Sequence, residues 1–210
     1  MNYCIFDTET SSLLNPNYPF DHPNQGRIIQ VGAILLDSEF NEKAQFCSYI
    51  TLPDYVEINE KAFEKHGITK ELCNSVGIPI EAALILLDSF IAKSDVIVGF
   101  NIPFDINFVH HEERAIFGHE RMNFKNPTCV MQATTPICQL GFNGSIPKNG
   151  KYKWPKLEEA YAHTIGGKFA KAHDALADVR ATAAIFQWLL SKNLIKLPPT
   201  LSIVSSTSQG

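Results

Sequence analysis

A chain of 210 residues, 45% of them apolar, can bury roughly 70% of the surface its unfolded form exposes, so one globular domain is expected. The 18 Lys plus Arg stand against 22 Asp plus Glu, a net charge of -4 with 19% charged residues. That balance excludes a disordered polyelectrolyte and a strongly basic nucleic-acid coat. Apolar runs such as Val31 to Leu36 fall far short of the ~20 residues that cross a bilayer, so no membrane span is expected. The first residues, MNYCIFDTET, have no basic stretch and reach acids early, which is not the pattern of a secretion signal and points to a cytoplasmic protein. Cys4, Cys47, Cys73, Cys129 and Cys138 are odd in number with no C-x-x-C spacing, and read as small reduced core residues.

In chain order, Tyr3 to Phe6, Arg27 to Asp37 and Phe46 to Leu52 are strand candidates rich in β-branched and aromatic residues, and form an expected meander. Between the first two, Leu14 to Gly26 holds three Pro, three Asn and a Gly, and reads as a long loop beside the end of the first strand. Asn59 to Lys65 has an Asn cap and helical composition, and Pro79 to Ala92, apolar almost all round, predicts a buried helix. Asp95 to Phe100 reads as an interior strand, and Phe104 to Phe117 returns to a helical period. A short strand at Cys129 to Met131 precedes helices near Pro136 to Leu140, at Lys156 to Ile165 and at Asp174 to Lys192. Residues 1–193 are then one domain, and 194–210, with Pro-Pro and a Ser/Thr run, a flexible tail. Strands first, then strands alternating with helices, describe a mixed α/β sheet.

The acids fall at informative places among these elements. Asp7 and Glu9 lie two apart at the end of a strand, so both carboxylates leave the same face of the sheet. A lone D-x-E is usually a solvated strand end, and more is required. Asp105 follows an interior strand through a turn and opens the next helix, the position at which open α/β sheets place their sites. Its bland explanation is the helix dipole, which favours an acid in the first turn. His173 stands just before the last helix and Asp178 on it, with Asp174 as the N-cap. Asp178 comes from an Ala- and Leu-rich segment, where a carboxylate is costly unless a cation or hydrogen bonds neutralise it.

Together these residues resemble the DEDDh 3'-to-5' exonucleases. The first motif matches Asp7-Thr8-Glu9-Thr10, the second Phe100-Asn101 with Phe104-Asp105, and the third His173 followed five positions later by Asp178. RIIQVGA, HGIT at His66 to Thr69, and KLEEAYAHTIG also look like the family, and the resemblance runs over roughly residues 3 to 190. It implies a ribonuclease H-like mixed sheet with helices packed on both faces. It further implies that Asp7, Glu9, Asp105 and Asp178 hold two divalent ions, for which oxygen-only anionic ligands suit Mg or Mn, and that His173 takes a proton from the attacking water. Carried over by position, Thr10, Leu13, Asn101 and Phe104 would receive the terminal nucleotide. Ser11-Ser12 stands where the family often has Thr-Gly, and the Leu14 to Gly26 loop looks longer than usual, so the nucleotide pocket departs from the pattern.

The implied activity is release of nucleoside monophosphates from the 3' end of a single strand, with DNA favoured. An exoribonuclease of the same fold and a polymerase-associated proofreading subunit are alternatives, as is a binding module without catalysis, although no signature acid is missing. Homodimerisation stays open. Lys148, Lys151, Tyr152, Lys153, Trp154 and Lys156 interleave cations with aromatic rings, which suits either a grip on a single strand or a solvated hairpin with one buried Trp. His110-His111-Glu112-Glu113 reads as an exposed helix face, because consecutive helical positions point in different directions. His66 reads as closing a turn, and Trp188, Leu189 and Leu190 as core or interface.

Overall fold

The computed structural model describes residues 1–19, 22–142, 151–168 and 174–197. Strands β1 (Tyr3–Thr10), β2 (Ile28–Leu36) and β3 (Glu42–Tyr49) are followed by helices α1 (Glu60–His66), α2 (Lys70–Val76) and α3 (Ile80–Ala92). Then come β4 (Val96–Gly99), α4 (Ile102–Phe117), β5 (Thr128–Cys129), α5 (Val130–Cys138), α6 (Leu157–Thr164) and α7 (Ala175–Ser191). The five strands lie in the order β3-β2-β1-β4-β5. The first three pair antiparallel, and β4 joins β1 and β5 in parallel.

Alternation along β1 divides the core in two. Cys4 and Phe6 pack with α3 and α4 residues such as Leu84, Leu87, Phe108 and Val109, whereas Tyr3 and Ile5 pack with Val179, Ile185, Phe186 and Leu189 of α7. Helices therefore cover both faces of the sheet, as the exonuclease resemblance implies. The strand β2, IIQVGAILL, is buried along its whole length, polar Gln30 included.

Several expectations need correcting. The third strand starts earlier than Phe46, because the Asp37 carboxylate accepts hydrogen bonds from the Glu39 and Asn41 N–H groups at 2.9 and 3.0 Å. That turn brings polar Glu42 into register with Leu36. α5 starts at Val130, where a strand to Met131 is expected, and carries Pro136 inside it near its end. α2, not anticipated, is capped by Thr69, whose hydroxyl accepts from Leu72 N–H at 3.1 Å. α3 exposes Ile85 and Leu86 along one edge, so it is not buried all round. Cys47 is exposed and Cys129 half-buried, which leaves Cys4, Cys73 and Cys138 as the core cysteines; all five are free thiols.

The largest correction concerns α4. His111, Glu112 and Glu113 are buried, not a solvated face. Glu112 receives the Arg27 Nε–H at 2.9 Å and the Ile28 N–H at 2.9 Å, and Glu113 receives the Met122 N–H at 2.8 Å. Leu189 belongs to the core, with Trp188 and Leu190 partly buried against it. Ile195 and Leu197 also pack there.

Candidate active site

Asp7 and Glu9 occupy alternate positions of β1 on the face covered by α7. A register shift between Glu9 and Thr10 ends the regular pairing with β2 at that point. Directly opposite Asp7 on β2 is Gly32. A Cβ there would meet the Ala175 carbonyl carbon at 2.8 Å and the Leu176 nitrogen at 2.9 Å, so only glycine lets the first turn of α7 lie this close to the sheet. Gln30 Oε1 accepts from Ala175 N–H at 3.2 Å and fixes the same turn, and the Asp174 carboxylate caps it by accepting from Ala177 N–H at 3.1 Å. Asp178 thereby faces the end of β1.

The fourth acid arrives from the other side of the sheet. Asn101, at φ 63°, takes the left-handed conformation that turns β4 directly into α4, and Asp105 falls in the first turn of that helix. Its Oδ1 accepts from both the N–H and the hydroxyl of Thr8, at 2.9 and 2.7 Å. Thr8 lies between Asp7 and Glu9, so the α4 acid is tied to the strand that carries the other two.

One ligand oxygen from each of Asp7, Glu9 and Asp178 lies within 4.8 Å of the others, a spacing at which three carboxylates can share a cation. Asp105 is 2% exposed and Asp178 8%. Burial, with Asp105, Glu9 and Asp178 as negative neighbours, holds the Asp7 carboxyl well above the usual carboxylate range. Glu9 is pushed up to about 8, by burial first and by Asp178 and Asp105 next, with Lys65 pulling the other way. Asp105 rises to about 7 through burial, against the two hydrogen bonds from Thr8. Such crowding disfavours ionisation unless positive charge enters, and the donor set is all hard carboxylate oxygen, so these residues fit divalent cations of the Mg or Mn type.

A cleft of about 370 Å³ is lined by Asp7, Glu9, Asp105 and Asp178 together with Lys65, Lys156 and Glu158. A second cavity of about 610 Å³ shares Thr8, Glu9, Lys65 and Phe104 with it, and adds Thr10, Leu13, Asn101, Asn59, Lys61 and His66. The four residues expected to receive a terminal nucleotide thus line a single cavity beside the acids, with Leu13 largely exposed at its edge. His173 lies outside the described residues, next to the Asp174 cap, as does Lys148. His66 does close a turn, its Nδ1 accepting from Ile68 N–H at 3.0 Å, and also lines the cavity. Lys65, Lys156 and Glu158 are cleft residues that sequence reasoning did not assign to it. The signal available for Lys65 and His66 was the helix end before HGIT, and for Lys156 and Glu158 the start of KLEEAYAHTIG.

Comparison with known proteins bears on the family and the fold. The RNase T family model, described as Exonuclease, matches residues 4–186. No curated protein sequence matches the chain. Among solved structures, Escherichia coli exonuclease I in complex with a dT13 oligonucleotide superposes with a TM-score of 0.69 at 23% identity, over 91% of this chain and 41% of that one. The zinc-bound form of the E. coli enzyme with single-stranded DNA gives 0.68 at 23% identity, over 91% and 40%. Exonuclease I from Methylocaldum szegediense gives 0.66 at 22%, over 91% and 40%. The fold is that of these exonucleases, and the chain spans about two fifths of their length.

Proposed function

The chain belongs to the exonuclease family, and from that premise we propose that it is a metal-dependent 3'-to-5' exonuclease acting on single strands, DNA in preference to RNA. The observation that carries this reading is the meeting of Asp7, Glu9 and Asp178 from two elements, with Asp105 tied to the same strand through Thr8. The preference for a DNA strand draws on the exonuclease I structures, which hold oligonucleotides of that kind.

In this reading Asp7, Glu9, Asp105 and Asp178 hold two divalent cations, Mg or Mn, which when bound neutralise charge at the scissile phosphate and lower the pKa of water. Thr8 fixes the Asp105 carboxylate by donating two hydrogen bonds to one oxygen, which leaves the other for the cleft. Leu13, at the edge of the larger cavity, wedges against the last base, while Asn101, Phe104 and the Thr10 backbone shape its pocket. His173 takes the proton of the attacking water, a step typically worth about 10² to 10⁴ in rate. Residues 1–193 form the catalytic domain, and Ile195 and Leu197 just beyond it still pack against its core. The partner is the 3' end of a nucleic acid.

Oligomers of DNA and RNA labelled at the 5' end, offered with and without Mg or Mn, test this reading, with Asp7→Asn as the control. The expected result is a ladder of labelled products shortening from the 3' end, only with metal, faster on DNA. Release of a labelled mononucleotide as the first product, or equal cutting by Asp7→Asn, would overturn it.

A further inference from the structure

Trp154 is 62% exposed and is the bulkiest of the exposed apolar side chains among the described residues. The ring does not hang from a loose segment. Lys153 N–H donates to the Leu140 carbonyl at 2.7 Å, and Lys153 Nζ pairs with Glu159 of α6 at 2.8 Å. On the other side Pro155 is buried and fixes its own φ, and the Lys156 N–H donates to the Glu159 carboxylate at 2.7 Å. One acid on α6 therefore anchors the chain just before and just after the indole. The Trp is therefore not buried, and what remains is an exposed ring on an anchored backbone.

The exposure pattern gives the ring a direction. Trp154 and Lys156 are exposed with Pro155 turned inward between them, and Lys156 lines the acid cleft. Two residues of extended chain span at most about 7 Å. A strand whose terminal phosphate enters the cleft beside Lys156 has its next nucleotides within reach of the indole. Exposed Lys151 lies three residues before it, so cations flank the ring on both sides in an otherwise acidic protein. Such alternation of cation and aromatic is what a single-strand path requires: ammonium groups follow phosphates, and every base offers a face for stacking.

We propose that Trp154 is a base-stacking platform for the single strand upstream of the terminal nucleotide, with Lys156 guiding the phosphates between platform and cleft. The inference rests on the exonuclease reading and adds to it where the strand runs. It selects single strands over duplexes, whose stacked bases offer no free face to the indole.

Steady-state kinetics of the full chain with Mg on an oligothymidylate of about a dozen nucleotides and on a dinucleotide provide the test. Trp154→Ala should raise KM for the longer substrate by about 5- to 150-fold, the range that base–aromatic stacking covers, while kcat changes by less than about twofold. The dinucleotide, too short to occupy both places, should lose far less. Trp154→Phe, which keeps a ring, should recover most of the loss. If the parent cuts neither substrate, the exonuclease reading falls and this inference with it. If the parent cuts both and Trp154→Ala keeps the parent's KM on the longer one, only the platform is overturned, and the exposed ring is left to a protein partner. An equal loss on both substrates, or no recovery with Phe, also overturns it.

Discussion

At its first turn α4 buries Asp105 against Thr8, among Asp7 and Glu9; two turns further along the same helix it buries Glu112 against Arg27. Asp105 is 2% exposed and Glu112 1%, so both carboxylates have left water, yet the chain completes them differently. Glu112 is given a guanidinium and a backbone N–H, a full set of donors from its own fold. Asp105 is given one threonine and like-charged neighbours, and the five acids lining the cleft outnumber its two lysines, Lys65 and Lys156. The first pattern is structural, since an ion pair closed within the chain needs nothing further. The second is a place prepared for charge from outside, because buried acids of one sign stay ionised together only when cations join them.

That contrast can be broken from either side. Replacing Asp178 with Ala should reduce turnover by more than about 10³-fold, beyond the ~10–100-fold usual for the outer partners of a metal site, without lowering the melting temperature of the metal-free protein. Comparable activity in steady-state assays would remove Asp178 from the site. Glu112→Ala should do the reverse. Leaving Arg27 buried and unpaired should cost about 3–5 kcal/mol in urea unfolding, while turnover per folded molecule stays close to the parent's.

The next effect links pH and metal. Burial and like charge raise Glu9 to about 8, and burial raises Asp105 to about 7, in the folded protein, against about 4 when unfolded. The folded state therefore binds more protons than the unfolded state between those limits, and metal-free stability should fall as pH rises from about 4 to about 8. A cation must displace those protons, so its affinity should rise over the same range. The melting temperature gained from Mg or Mn should be larger at about pH 8 than at about pH 5.5, with about 2.7 kcal/mol of stabilisation when metal is at a hundred times its dissociation constant. Equal gains at both pH values in calorimetry would contradict the crowding of these acids. The smallest effect is expected from Thr8→Val, which removes one of two donors to Asp105. It should cost about 1 kcal/mol of metal-bound stability and lower metal affinity modestly by titration calorimetry.

The acid cleft was legible in the sequence to an unusual degree, because each acid sits where an element begins or ends. Alternation put Asp7 and Glu9 on one face, and a strand-turn-helix put Asp105 beside them. Asp178 stood out as a charge on an apolar stretch. Glu112 was misread for the converse reason: Glu is seldom buried unless paired, and its partner Arg27 lies 85 residues away in the chain. No local pattern encodes such a partner. The same holds for Gly32, whose need to be glycine arises from the first turn of α7 and not from anything in β2. Trp154 was seen as one of a cation-aromatic series, but whether its ring faced water depended on Pro155 and on the two anchors of Lys153. Short α2 has too few turns for a period to show, although the Thr69 cap was present to be read.

The two ends of the acid constellation are far apart in the order of synthesis. Asp7 belongs to β1 and Asp178 to α7, which Gly32 allows to lie close against the sheet. A chain still emerging from the ribosome therefore has no complete set of carboxylates until Asp178 has been added. Of the four carboxylates, the last to be made is the one that closes the set.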